Sequence, residues 1–160
     1  MKKLSKRALE ISQAIAPKHP QVANSLTNLA DVHVMQGRHA QAEPRYLQAL
    51  TILEEALGSE HFETAYTLSH LARLFSAQAR HAEAEATYRR AITILQKDPE
   101  KLSTLPDSLN NLADQVAEQG RTTEAEALYQ QAQAIWERVL GPEHPNVALC
   151  LGNRARLYRE

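Results

Sequence analysis

Seven histidines, one cysteine and scattered aspartates and arginines are the residues of this chain with the means to do chemistry. Imidazole can carry protons or ligate a transition metal, and a thiolate can attack an electrophile, but each needs partners at fixed spacing. No two histidines stand four apart, the separation that sets two ligands on one helical face, and a single cysteine makes no metal-binding cluster. The histidines recur in register instead. His19, His61 and His144 precede equivalent segments, and His39 and His81 open another equivalent pair, so repetition of a structural position accounts for them. Cys150 has no base fixed beside it in sequence, which predicts a buried apolar role rather than nucleophilic catalysis. Five dispersed glycines form no phosphate-cradling loop. These patterns predict a chain that is not an enzyme and holds neither cofactor nor metal.

The elements that carry these residues repeat. Ala42 to Gly58 (AEPRYLQALTILEEALG) returns as Ala125 to Gly141 (AEALYQQAQAIWERVLG), with Ala84 to Glu100 between them. The stretches ahead of each also match: SLTNLADVHVMQG, TLSHLARLFSAQA and SLNNLADQVAEQG. Leu29 to Leu71 is 42 positions and Leu71 to Leu112 is 41. A period of this size marks stacked helical hairpins, none of which buries its apolar face alone. In the first helix Leu26, Leu29, Ala30 and His33 share one face, as do Leu68, Leu71, Ala72 and Phe75, and Leu109, Leu112, Ala113 and Val116. Turns follow at Gly37, Ala79 and Gly120, where Ala79 departs from a position suited to positive φ. The second helix carries Ala42, Tyr46, Ala49 and Ile52 and their counterparts; small alanines let two backbones approach, with the tyrosine filling the space beside them. Trp136 stands in that stripe where Leu53 and Leu95 stand, and is expected in the core. Pro44 is expected to fall early enough in its helix to cost no hydrogen bond.

This register predicts one domain over 1–160: a partial repeat at 1–17, repeats at 19–58, 61–100 and 103–141, and a capping half-repeat at 144–160, with seven or eight helices in all. Residues 1–17 read as the second helix of a preceding pair, because Arg7-Ala8-Leu9-Glu10-Ile11 aligns with Arg90-Ala91-Ile92-Thr93-Ile94. Residues 144–160 supply a first helix, with Arg154 where the other repeats hold leucine, a choice that suits a solvent-facing lid. The joint Lys97 to Asp107 carries the one-residue deletion and is the expected irregularity. A net charge of −1 leaves no basic footprint for nucleic acid, and no apolar run approaches a membrane span. A lone cysteine and an amphipathic start without a secretion-signal core predict a cytoplasmic chain, or a piece of a larger cytoplasmic protein.

Leu-x-x-Leu-Ala-x-x-aromatic, a glycine turn and then Ala-x-x-x-Tyr-x-x-Ala resemble the tetratricopeptide repeat. The longer period, His19-Pro20, His144-Pro145 and the phrase Leu-Asn-Asn-Leu-Ala narrow the resemblance to repeats of the kinesin-light-chain type. Richness in Ala and Gln, and the lack of a heptad region, fit a bacterial or engineered relative rather than the motor subunit. The resemblance implies an all-α, right-handed superhelix (an α-solenoid) whose first helices line a concave groove, and a protein-binding scaffold as its function. The groove residues it implies are Asn24, Asn28 and Asp31, then Tyr66, His70 and Arg73, then Asn110, Asn111 and Asp114, with Asn153 beyond. Asn28 and Asn111 sit where relatives use a carboxamide to bond the backbone of an extended peptide. Asp31 and Asp114 flank Arg73, so a protein or peptide ligand carrying both signs is expected, and the absence of lysine from these faces argues against a two-lysine carboxylate clamp. The alternative reading is self-assembly, with incomplete end repeats joining copies into a homo-oligomer, or a spacer within a larger multidomain protein.

Overall fold

A computed structural model describes residues 6, 7, 10, 11, 18–98 and 104–158. Residues 6, 7, 10 and 11 are helical, and the later residues form seven α helices: α1 Pro20–Met35, α2 His39–Ala56, α3 Phe62–Ala77, α4 His81–Leu95, α5 Leu105–Glu118, α6 Thr122–Leu140 and α7 Pro145–Arg156. Within each unit the helices pack as sequential antiparallel pairs, α1 with α2 and α5 with α6 across short turns, as the two alternating sequence stripes require. The chain divides into two compact units, Met1–Arg80 with α1 to α3 and His81–Glu160 with α4 to α7.

In the first unit α1 and α2 form a hairpin around Val22, Ala23, Leu26, Leu29, Ala49, Ile52 and Leu53. Ala30, Ala42 and Ala49 are fully buried, so the small side chains do sit where the helix backbones come closest, and Tyr46 fills the space beside them. Helix α3 packs against α2 and touches α1, where the buried hydroxyls of Thr27 and Thr67 pair at 3.3 Å. In the second unit α5 and α6 repeat the hairpin with Leu109, Leu112, Ala113 and Val116 against Ala125, Tyr129, Ala132 and Trp136, all buried. Helix α4 packs on α5, and α7 rests on α6 through Val147 and Cys150.

The recurring histidines are caps. His19, His61 and His144 precede α1, α3 and α7, and each Nδ1 accepts a hydrogen bond at 3.2 Å from the backbone N–H two residues on, at Gln21, Glu63 and Asn146. One orphan donor of each helix start is thereby satisfied. Helix ends recur as well. After α1, Gly37 (φ 69°) and Arg38 donate to the carbonyls of Val34 and His33; after α5, Gly120 (φ 75°) and Arg121 donate to Ala117 and Val116. Ala79 adopts the same left-handed backbone, φ 56°, and closes the same pair of bonds to Ser76 and Phe75.

Two expectations need correction. Pro44 is the sixth residue of α2, beyond the first turn, so its ring removes a bond that an N–H would have made to Ala40. Ala40 is exposed, which leaves that carbonyl to water. Arg154 does not face open solvent: it turns onto α6, where Nη1 donates to Gln133 Oε1 at 2.7 Å and Nη2 lies 3.6 Å from Glu126 Oε1. The leucine position it occupies points toward the preceding hairpin, and polar partners on α6 make the charge tolerable there. The irregular joint expected around residues 97–107 falls largely on 99–103, outside the described residues, as does most of the segment 1–17.

Candidate functional site

Each unit sets two first helices side by side, and both junctions carry the same polar arrangement. In the first unit Asp31 Oδ1 on α1 accepts from the Tyr46 hydroxyl at 2.6 Å, and lies 2.7 Å from His70 Nδ1 and 3.3 Å from Arg73 Nη2 on α3. In the second, Asp114 Oδ1 on α5 accepts from the Tyr129 hydroxyl at 2.5 Å and from Arg156 Nη2 on α7 at 3.3 Å. Aspartate and tyrosine are 15 residues apart in both cases, and aspartate and arginine 42 apart. A buried phenol needs a hydrogen-bond acceptor, and a half-buried carboxylate needs donors; each supplies the other.

The two carboxyls nevertheless titrate in opposite directions. Burial pushes Asp31 up, but the bonds from His70 and Tyr46, with the charges of His70 and Arg73, outweigh it and hold Asp31 below the usual aspartate value. Burial also pushes Asp114 up, and there the Tyr129 bond and the Arg156 charge fail to overcome it. Two neighbours differ: the Glu118 charge also pushes Asp114 up, and the histidine at Asp31 has no equivalent at Asp114. His70 reaches Asp31, whereas its counterpart Asn153 turns to Asn110 Oδ1 at 3.2 Å and accepts from Arg156 at 3.0 Å. Both phenols are raised, by burial first and then by the aspartate beside them, so they remain donors.

The predicted residues therefore separate into groups. Asp31, His70 and Arg73 form one cluster, and Asp114, Asn110 and Asn153, with Arg156, form another. Asn110 is a correction: it is 6% exposed and bonded to Asn153 and Asp114, so it faces the neighbouring first helix rather than a partner. Its register counterpart Thr27 is buried in the same way. Asn24 and Asn28 are exposed and Asn111 is half-buried, and among the described residues none of the three spends its carboxamide on a side-chain hydrogen bond. Tyr66 is 45% exposed, and its ring lies tilted against His70 at 4.4 Å between centroids and near Phe62 at 6.3 Å, a short aromatic run along α3. Sequence reasoning missed Tyr46 and Tyr129 as partners of the aspartates; the repeated 15-residue spacing of Asp and Tyr was the available signal.

The chemistry on offer is hydrogen bonding and stacking. Among the described residues no group of three or more His, Cys, Asp or Glu side chains is placed to hold a metal ion, and no helix is long and apolar enough to cross a membrane. Burial pushes the Cys150 thiol up to about 11, and its Sγ donates to the Tyr129 carbonyl at 3.2 Å, the state of a packing residue rather than a nucleophile.

Comparison with known proteins agrees with this construction. The kinesin light chain nearly identical repeats of Podosopora anserina superpose with a TM-score of 0.77 at 26% identity, over 99% of this chain and 76% of theirs. A second structure of the same repeats gives 0.76 at 26% identity with the same coverage. BtubC (BKLC) from P. vanneervenii shares the fold, with a TM-score of 0.83 at 22% identity, over 98% of this chain and 64% of that one. None of the curated proteins compared matches the chain. The tetratricopeptide repeat pattern matches residues 2–55, 36–97 and 104–160, and this chain belongs to the tetratricopeptide repeat family.

Proposed function

We propose that each unit binds an extended peptide segment of a protein partner along the face of its first helices, with Asn28 in one unit and Asn111 in the other reading the peptide backbone. Tetratricopeptide repeats generally serve as protein-interaction modules and are typically non-catalytic. One observation carries the finer reading. At equivalent register Asn28 and Asn111 keep unspent carboxamides, while the charged row beside them is engaged internally through Asp31 with Arg73 and Asp114 with Arg156. A carboxamide donates and accepts at once, so it fits the N–H and C=O of a peptide bond regardless of the side chain that follows. Arg73 and Arg156 are the more exposed members of their pairs, at 55% and 65%. An acidic ligand residue must compete with Asp31 or Asp114 for them, which mutes selection by charge.

The test is to pan a random displayed peptide library on the 160-residue chain and measure the selected peptides by calorimetry against Asn28→Ala with Asn111→Ala. Each lost hydrogen bond is worth about 0.5–1.5 kcal/mol net, and a carboxamide makes two, one donated and one accepted, so each unit's site should lose about 1–3 kcal/mol. That corresponds to roughly 5- to 150-fold in Kd. The loss should be similar for peptides of unrelated sequence. Unchanged affinity in a double variant with native circular dichroism refutes the reading.

A further inference from the structure

We propose that the second unit takes a basic side chain, lysine or arginine, from its peptide partner between Asp107 and Leu149, a preference that rests on the peptide-binding reading above and adds to it.

The placement follows from the register of α5 and α7. Asn110 bonds Asn153 at 3.2 Å and Asp114 bonds Arg156 at 3.3 Å, so the two helices run side by side and their residue numbers rise together. Asp107 and Leu149 are 42 apart, as Asp114 and Arg156 are. They therefore stand across from each other, about two helical turns nearer the amino ends than that pair. Both are exposed, Leu149 at 58%. The exposure belongs to the row and not to α7 alone, because Asn24 on α1 and Tyr66 on α3 are exposed at the same register.

Asp107 differs from the other carboxylates of α5. Asp114 accepts from Tyr129 and Arg156, and Glu118 accepts from Gln115 at 3.5 Å and lies 3.6 Å from His81 Nδ1. Asp107 is open to solvent on one side, while protein crowding the other pushes its carboxyl up; among the described residues no donor or cation opposes that shift. A carboxylate partly stripped of water and left uncompensated gains most from an incoming cation.

The peptide's own geometry brings the cation there. Asp107 lies four residues before Asn111, on the same face of α5 and about one turn away. An extended backbone held at Asn111 projects alternate side chains to opposite sides of its line. Those directed toward the amino ends of α5 and α7 meet a carboxylate with an alkyl surface beside it. A purely aliphatic side chain would cover Asp107 without giving it a donor. Lysine or arginine serves both residues, its stem over Leu149 and its charged head at Asp107. The first unit holds Asn24 and Tyr66 in this row and has no charge to match, so the preference is confined to the second unit.

The test selects displayed random peptides on two baits in parallel: Asn28→Ala, which keeps the second unit's carboxamide, and Asn111→Ala, which keeps the first unit's. Peptides from the Asn28→Ala bait should share a lysine or arginine, and those from the Asn111→Ala bait should not. Exchanging the shared residue for norleucine should weaken binding about tenfold in calorimetry, the loss of a charge-assisted hydrogen bond, and the gap should shrink with added salt. Adding Asp107→Asn, a near-isosteric change at an exposed position, should abolish the gap while leaving the affinity of the norleucine peptide unchanged, which also shows that the fold is kept. A basic residue that is absent, equally enriched on both baits, or indifferent to Asp107→Asn overturns the proposal. In that event, selected peptides that still weaken when Asn111→Ala is added to their bait leave the peptide-binding reading standing. Peptides indifferent to Asn111→Ala, or a selection that yields none, overturn both.

Discussion

Replacing Ala79 with glycine should stabilise the protein, a prediction that isolates one backbone angle. Three first helices end in the same two-bond closure, and the residue at its apex has φ of 69° at Gly37, 56° at Ala79 and 75° at Gly120. A left-handed conformation brings Cβ against the following carbonyl, at about 1–2 kcal/mol for an L-residue. Ala79→Gly removes that strain but gives the unfolded chain more freedom, which returns about 0.4–1 kcal/mol. The net gain is about 0.5–1 kcal/mol, or roughly 2–4 °C in Tm per kcal/mol for a chain of this length. The reverse exchanges calibrate it. A Cβ built at Gly37 or Gly120 meets nothing within 4 Å, so Gly37→Ala and Gly120→Ala should each lose about the same amount through conformation alone. Urea unfolding followed by far-UV circular dichroism reads all three. If Ala79→Gly is neutral or destabilising while Gly37→Ala costs its full share, the closure after α3 is not the left-handed one and the reasoning fails.

Pro44→Ala restores the N–H that α2 lacks toward Ala40 and installs the residue that Ala86 and Ala127 hold at the same register; it should raise stability by about 1–2 kcal/mol in the same urea assay. His70→Asn should move the Asp31 carboxyl upward, toward the behaviour of Asp114, as followed by carboxyl NMR across an acid titration. The signs follow from the direction of each shift. Asp31 is depressed in the fold, so its contribution is present above the unfolded carboxylate range and is lost as pH falls through its lower folded value. Asp114 is raised, so its ionisation opposes folding and protonating it relieves that cost. An Asp31 titration unmoved by His70→Asn would show that Arg73 and Tyr46 suffice to hold the carboxylate.

The packing rows were legible because they repeat. Leu26, Leu29 and Ala30 and the stripe from Ala42 to Ile52 are dictated by helical periodicity, and the structure buries all of them apart from the polar positions between. The polar rows were harder, because periodicity assigns a direction but not a neighbour. Asn110 lies one step from Asp114 on the helical wheel, yet that step turns it into the contact with α7, and only the position of the next helix decides this. Pro44 was misread for a related reason: helix α2 begins at His39, a few residues earlier than the apolar stripe suggests, and the loss of one N–H depends on that start. The histidine caps were visible as repeated positions, but imidazole is an unusual N-cap, so the repetition was plain while the role was not.

The repeated Asp and Tyr pairing also bears on where partner preference resides. A row that must bond its own neighbouring helix, as Asp31 and Asp114 do, is constrained by the stack before any ligand arrives. The row at Asn24, Tyr66, Asp107 and Leu149 is free of that duty: it is exposed on every first helix, and it carries an amide, a phenol, a carboxylate and an alkyl group in turn. Rows that build the hairpin repeat their chemistry, while this row changes it at each step. Under the proposed function the carboxamides of Asn28 and Asn111, in a row that also holds the internally bonded His70 and Asn153, each hold an extended backbone on their own unit, and discrimination between side chains falls to the changing row beside them. Stability and selectivity thereby occupy different residues of the same helix, which is how one repeat can serve many partners without altering its core.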